Sequence, residues 1–161
     1  MFNCIKYNSI LKLEDRQIEA IDLQPLLFNG KLMSFANNEF KYRKIVDILV
    51  KQENFTTYYF EYYNQSVKLE ASNSLSILNI NKENIYLNTL QQNFLILSPI
   101  FVPKYDLNLY AEYNFQVNKS IFKEKTQGYQ ELGYYIKLED NAHILVNNFC
   151  FVKMKQFKFE Q

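Results

Sequence analysis

The chain contains few of the residues from which most catalytic sites are built. Its 161 residues include one histidine, His143, and two cysteines, Cys4 and Cys150, near opposite ends. A Ser-His-Asp or Cys-His set can therefore draw on a single base, and the usual zinc sites need more Cys and His ligands than the chain has. We predict from this inventory that the protein is not an enzyme and that it uses no metal or cofactor.

Glycine and proline are also scarce, with three of each. The glycines, Gly30, Gly128 and Gly133, lie too far apart to form a phosphate-binding loop. Asp106 and Glu112 share one face of a predicted strand, but the rise of a strand separates them by roughly 20 Å, which exceeds the spacing of a glycosidase pair. Nucleotide cradling by a Gly-rich loop and carboxylate catalysis are both disfavoured.

The chain lacks a strong net charge and a long apolar run. A net charge of +1 gives no global field that would steer a polyanion. The longest apolar run, residues 94–102, is too short to span a bilayer as a helix, and residues 1–6 do not resemble a signal peptide. We expect a soluble, intracellular (cytoplasmic) protein with no membrane partner and with two buried thiols. The sequence leaves open whether the two cysteines pair in a disulfide.

Short apolar segments separated by polar turns run along the whole chain. Turn signals every eight to twelve residues favour an all-β fold. We predict one domain over residues 1–161, an antiparallel meander of about eight to eleven strands that forms a sandwich or a barrel, with at most one or two short helices. Strand order cannot be read from these signals, so the choice between sandwich and barrel stays open.

Several turns can be placed. Asn29-Gly30 between apolar runs predicts a type I′ hairpin with arms at residues 22–28 and 31–36. Asp140-Asn141 predicts a second hairpin between residues 134–139 and 142–152. Further loops are predicted at Asn64–Ser66, at residues 81–84, and between Gly128 and Gly133.

Three segments carry strand or helix signals. Apolar and polar residues alternate from Tyr105 to Val117, which predicts one long half-buried strand. Residues 40–50 fit a helix or a strand, and their β-branched content favours the strand. Residues 13–23 could include a short helix that ends before Pro25.

The densest aromatic cluster is Tyr58–Tyr63, with five aromatic residues in six positions. Alternate side chains of a strand point to opposite faces, so the set at 58, 60 and 62 should face away from the set at 59, 61 and 63. Because Glu61 belongs to the second set, we expect that set to be exposed. Lys, Asn, Ile, Phe and Tyr share A/T-rich codons, so genome composition is a competing explanation for the aromatic content.

With catalytic sets disfavoured, recognition is the function that the sequence predicts. Tyrosine-rich surfaces are typical of protein-binding sites. We predict a non-catalytic interaction module: a subunit of a larger assembly, or an inhibitor or immunity-type accessory protein of the kind that phages or mobile elements encode. Its partner would be another protein. The predicted contact residues are Tyr58, Tyr59, Phe60, Glu61, Tyr62, Tyr63, Tyr134 and Tyr135.

Two alternatives remain open at this stage. A sheet with aromatic side chains beside basic ones can bind single-stranded nucleic acid, and here Lys153, Lys155 and Lys158 alternate with C-terminal aromatic residues. The second alternative is a β-barrel that encloses a small apolar ligand.

Overall fold

The computed structural model describes residues 3–72, 74–105 and 111–155, of which residues 100–105, 111–118 and 127 are described by their backbone alone. No helix in these ranges is long and apolar enough to cross a membrane. The all-β prediction is confirmed, and the regular helical segments within these ranges are short 3₁₀ turns at Ala20–Asp22, Gln24–Leu26, Leu87–Thr89 and Glu139–Asn141.

Twelve strands lie within the described ranges, slightly more than predicted. They are β1 (Ile5–Lys6), β2 (Ile10–Lys12), β3 (Gln17–Glu19), β4 (Lys31–Ala36), β5 (Glu39–Tyr62), β6 (Gln65–Ala71), β7 (Ser76–Leu78), β8 (Asn84–Tyr86), β9 (Leu95–Tyr105), β10 (Ala111–Leu138), β11 (His143–Val146) and β12 (Cys150–Lys153).

Two long strands organise the molecule. β5 has 24 residues and β10 has 28, and they pair antiparallel from Glu61–Ile121 to Ile45–Leu138. The short strand β1 lies between β6 and β10, because Ile5 is opposite Ala71 on one side and Tyr134 on the other. Since β6 also pairs with β5, the four strands β5, β6, β1 and β10 close on themselves. From β5 the sheet continues through β4, β11, β12, β7 and β8, while β9 pairs with β10 and β2 pairs with β11 and β3.

Asparagine supplies most of the left-handed backbone positions in the described ranges, and glycine supplies none of them. The turns at Asn37-Asn38 and Asn147-Asn148 have positive φ at both residues, whereas no glycine does. A short polar side chain tolerates this conformation better than others. These turns form the hairpins β4–β5 and β11–β12. Residues 40–50 are accordingly part of β5, as the β-branched content predicted.

Several predictions of pairing are wrong. Asn29-Gly30 does not join two strands, because residues 24–26 form a 3₁₀ turn and the amide of Gly30 bonds to the Leu26 carbonyl. The Asp140-Asn141 turn exists, but β10 pairs with β5 and β11 pairs with β12. Residues 13–23, for which a short helix was left open, include β3 and a 3₁₀ turn that ends before Pro25.

The prediction of one strand over residues 105–117 is also wrong. Tyr105 at the end of β9 is opposite Ala111 at the start of β10, so the chain reverses between them. Residues 106–110 lie outside the described ranges. Likewise, no loop separates Gly128 from Gly133, since both lie within β10.

Candidate functional site

Half of the predicted contact residues lie in the core. Tyr58 and Phe60 are fully buried, and Tyr134 and Tyr135 are nearly so. They pack in one cluster with Ile5, and this removes them from any surface that meets a partner.

The rest of the predicted pool is more exposed. Tyr59, Glu61 and Tyr62 are half-buried, and Tyr63 is 54% exposed. The set that starts at Tyr58 faces the core, as expected, but only Tyr63 of the set that was expected to be exposed is exposed rather than half-buried. Glu61 forms an ion pair with Lys123 at 3.2 Å. The aromatic run serves mainly as core packing.

Two of the three basic residues of the nucleic-acid alternative lie within the described residues. Lys153 is half-buried, whereas Lys155 is exposed with its Nζ 3.5 Å from the Tyr86 hydroxyl. Lys158 lies outside the described residues.

His143 is held in a structural contact. Its Nε2 lies 2.7 Å from Asn84 Oδ1. Burial, and then the positive charge of Lys153, lower the pKa of His143 to about 4. The ring is therefore neutral near pH 7.

A densely hydrogen-bonded polar site lies where Asn3 meets the segment after β12. The amide of Asn3 donates to the Lys155 carbonyl at 2.9 Å, and the amide of Lys155 donates to Asn3 Oδ1 at 2.9 Å. The side-chain amide of Asn3 also donates to the Ser74 hydroxyl. Asn3 is only 2% exposed. The peptide bond between Asn3 and Cys4 is thus clamped between the segment that follows β12 and the loop that follows β6.

Ser72 holds the other side of this peptide bond. The Cys4 amide donates to Ser72 Oγ at 2.9 Å. In return, the Ser72 amide and hydroxyl donate to the Cys4 carbonyl at 3.1 and 3.2 Å. Ser72 is itself buried. Its hydroxyl is within hydrogen-bond distance of the nitrogen of the Asn3–Cys4 bond.

Space for the Cys4 side chain is made by Gly133. A Cβ at position 133 would lie 2.7 Å from Cys4 Cβ, 3.1 Å from Cys4 Sγ and 2.8 Å from the Phe55 ring. Contacts this short are not tolerated in a packed interior. The missing side chain therefore allows the thiol and the aromatic ring to pack on β10.

Burial sets the acidity of the thiol. Cys4 is 0% exposed and forms no disulfide with Cys150, whose own Sγ is directed at the Val146 carbonyl. Burial, followed by the negative charge of Glu53, raises the pKa of Cys4 to about 12, while the positive charge of Lys51 lowers it. The ground-state thiol is thus protonated at neutral pH.

A charged network centred on the buried Glu70 lies next to Cys4 along β1. Lys6 Nζ is 3.0 Å from Glu70 Oε2 and donates to the Tyr129 hydroxyl at 2.6 Å. Tyr129 in turn donates to Glu70, and Lys68 pairs with the second oxygen of Glu70 at 3.3 Å. These contacts fix β1 between its neighbours, and so fix the backbone that carries Cys4.

The chemistry available here is that of a thiol next to a peptide bond. Sequence reasoning predicted only a buried thiol at Cys4, because nothing in the linear order shows that residues 3 and 155 are neighbours. Sγ of a cysteine can reach the preceding carbonyl carbon through a five-membered ring, and holding the reacting atoms in place lowers the entropic part of the barrier.

The comparisons with known proteins concern the fold. No protein-family model matches the sequence, and no curated protein resembles it in sequence. Among solved structures, the chain is similar to a G-1F mutant of the Ssp DnaB mini-intein variant M86, with a TM-score of 0.75, 13% identity and coverage of 94% of this chain and 98% of that chain. It is also similar to the DnaX mini intein from Spirulina platensis, with a TM-score of 0.68, 13% identity and coverage of 92% of this chain and 98% of that chain. A DnaB intein from Synechocystis sp. PCC 6803 is similar as well, with a TM-score of 0.65, 11% identity and coverage of 94% of this chain and 98% of that chain.

This finding corrects the functional prediction. The solved structures that share the fold are inteins, which are self-splicing protein domains. The predictions of a non-catalytic interaction module or inhibitor, and of a chain that is not an enzyme, are therefore wrong. The two alternatives, single-stranded nucleic-acid binding and an apolar-ligand barrel, are not supported either.

Proposed function

We propose that this chain is an autoprocessing domain in which the thiol of Cys4 attacks the peptide bond that precedes it. One observation carries the proposal. The Asn3–Cys4 bond is buried and held from both sides, by Lys155 and by Ser72, in a fold shared with self-splicing domains.

The step is an acyl transfer from nitrogen to sulfur that conserves atoms and charge. The thiol loses its proton, and Cys4 Sγ bonds to the carbonyl carbon of Asn3. The bond from this carbon to the Cys4 nitrogen then breaks, and the nitrogen takes up a proton. The product is a thioester between Asn3 and the Cys4 side chain, with a new α-amine on Cys4. No net oxidation or reduction takes place.

Ser72 is placed to assist the departure of the nitrogen. Its Oγ is 2.9 Å from the Cys4 nitrogen, and its hydroxyl proton is directed to the Cys4 carbonyl. As the carbon–nitrogen bond breaks, this hydroxyl can turn and hydrogen-bond the developing amine. A positioned proton donor of this kind contributes to the rate by general acid catalysis.

A cleavage assay tests the proposal. A reporter protein is fused before Met1, and the purified fusion is incubated with hydroxylamine, whose nitrogen bonds to the thioester carbon and releases the thiol. We expect two products in the intact-mass spectrum: the reporter ending in an Asn3 hydroxamate, and the domain beginning at Cys4.

Two variants serve as controls for the assay. Cys4→Ala should give no product, whereas Cys150→Ala should cleave like the unmodified chain, because Cys150 lies elsewhere in the core. Circular dichroism confirms that each variant is folded. Cleavage at the same bond in Cys4→Ala, or a fusion that stays intact in hydroxylamine, would rule the mechanism out.

Ser72→Ala is expected to slow the cleavage about tenfold or more, because it removes the hydroxyl beside the leaving nitrogen. The measurement is the first-order rate constant in excess hydroxylamine. Ser66→Ala removes an exposed hydroxyl at the start of β6 and should leave the rate unchanged. A Ser72→Ala rate equal to that of Ser66→Ala would contradict the role of Ser72.

A further inference from the structure

We infer that the segment after β12 and Ser74 form a carboxamide-binding subsite, which makes processing selective for asparagine before the reacting cysteine. The inference rests on the proposed function and adds a preference to it. The expected substrate is the chain's own Asn3–Cys4 peptide bond, with asparagine at position 3.

The contacts of Asn3 match a primary amide. Its Oδ1 accepts from the Lys155 amide at 2.9 Å, and its Nδ2 donates to the Ser74 hydroxyl. The orientation of this amide is fixed, because a backbone N–H can only donate and therefore requires the oxygen of Asn3. The Lys155 amide thereby determines which end of the side-chain amide is the oxygen, and the Ser74 hydroxyl accepts from the nitrogen at the other end.

Burial turns these contacts into a preference. Asn3 is 2% exposed, so a side chain that leaves the Lys155 amide without an acceptor would strand a buried donor. Leucine has a similar volume but cannot accept this bond. Glutamine has the right group on a longer stem, so its amide cannot reach both partners from the same backbone position.

The contacts of Asn3 in the subsite also help to position its carbonyl carbon, which is the reacting atom. The backbone amide of Asn3 is bonded to the Lys155 carbonyl, and its side chain is bonded to the Lys155 amide. Together with the bond from the Cys4 amide to Ser72 Oγ, these two bonds hold Asn3 and the peptide plane that contains its carbonyl. A displacement of about 1 Å at a reacting group can cost roughly a hundredfold in rate. Asn3 is therefore a positioning residue.

The test compares residues at position 3 in the fusion protein. In excess hydroxylamine, Asn3→Leu should cleave at least about tenfold more slowly than the unmodified chain. Asn3→Asp keeps an acceptor for Lys155 and should retain more of the rate. Rates are taken per folded molecule, measured by urea unfolding, so a loss of stability alone would not change them. Asn54→Ala, which removes an exposed amide on β5, is the matched control.

A second substitution examines the Ser74 contact. Ser74→Ala should slow cleavage in the unmodified chain and should have no further effect in Asn3→Leu, because the shared hydrogen bond is already lost. Equal rates for Asn3→Leu and the unmodified chain would overturn the subsite.

Hydrogen exchange separates failure of the subsite from failure of the proposed function. The Lys155 amide should be protected in the unmodified chain and should exchange faster in Asn3→Leu. If the unmodified fusion does not cleave but this protection pattern holds, the autoprocessing proposal fails while the subsite stands. If the Lys155 amide exchanges equally fast in both proteins, no carboxamide is bound there, whatever the cleavage result.

Discussion

Replacing Gly128 with alanine should lower the free energy of unfolding by about 3 kcal/mol or more. A Cβ built at position 128 would lie 0.8 Å from the Phe55 carbonyl oxygen and 1.9 Å from the Phe55 carbonyl carbon. These are backbone atoms within a strand pair, so they cannot move aside as the end of a flexible side chain could. The pairing of β10 with β5 would have to open locally.

The position of Gly128 explains this close approach. Thr126 is opposite Thr57 and Tyr129 is opposite Phe55, so two residues of β10 face one residue of β5. This is a β-bulge, which brings the extra residue out of register and increases the local twist. Glycine fits here because it has no side chain to collide with the partner strand.

Urea unfolding measures the effect. Total stabilities of domains are about 5–15 kcal/mol, so Gly128→Ala should show a large drop in the midpoint, or should fail to yield soluble folded protein. Thr126→Ala, at an exposed position beside the bulge, should change stability by less than about 0.5 kcal/mol. Two variants with the same midpoint would show that the bulge tolerates a Cβ.

Local sequence signals predicted the fold class but not the pairing. Polar turns and β-branched residues correctly indicated an all-β chain, and residues 40–50 were correctly favoured as strand. The Asn29-Gly30 signal failed because Asn37-Asn38, eight residues later, takes the left-handed turn and pairs β4 with β5. Asn-Asn is a weaker turn signal than Asn-Gly. That Asn37-Asn38 joins β4 to β5 is seen only when the strand pairing in the structure is known.

The candidate site was hidden for the same kind of reason. A catalytic set can be recognised in a sequence when it contains many characteristic residues at close spacing. The residues of this candidate site are few, and they lie far apart in the sequence. Asn3, Ser72 and Lys155 are ordinary residues that become a site through the closure of β1 between β6 and β10. The aromatic run attracted the functional prediction, but its even-numbered members pack in the core. The aromatic composition therefore indicated residues of the hydrophobic core and gave no indication of the candidate site.

Cleavage by Cys4 should accelerate about tenfold for each unit of pH, or about a hundredfold from pH 7 to pH 9. The attacking species is the thiolate, and burial with Glu53 raises the pKa of the thiol to about 12. At pH 7 only about one molecule in 10⁵ then carries the thiolate. Hydroxylamine in excess keeps thioester formation rate-limiting, and the first-order rate constant is followed by intact mass.

The fold should remain intact over this range. Cys4 has an ordinary pKa of 9.0 and a folded pKa of about 12. Between these values the native state retains a proton that the unfolded state loses, so this contribution to stability is full below pH 9 and falls as the pH rises towards 12. Rates measured from pH 7 to pH 9 therefore report on the thiol and not on unfolding.

Substitutions of two neighbouring charged residues test whether Cys4 is the titrating group. Glu53→Gln removes the charge that raises the pKa of the thiol, so it should speed cleavage at a fixed pH. Lys51→Gln removes the charge that lowers this pKa, so it should slow cleavage. Part of each change is offset, because a thiolate of lower pKa is a weaker nucleophile. Glu53 and Lys51 form an ion pair with each other at 3.1 Å. A structural disturbance from breaking this pair would change both cleavage rates in the same direction, so opposite changes point to an effect of charge on the thiol. A rate that is independent of pH, or that moves the same way in both variants, would exclude the Cys4 thiolate as the attacking group.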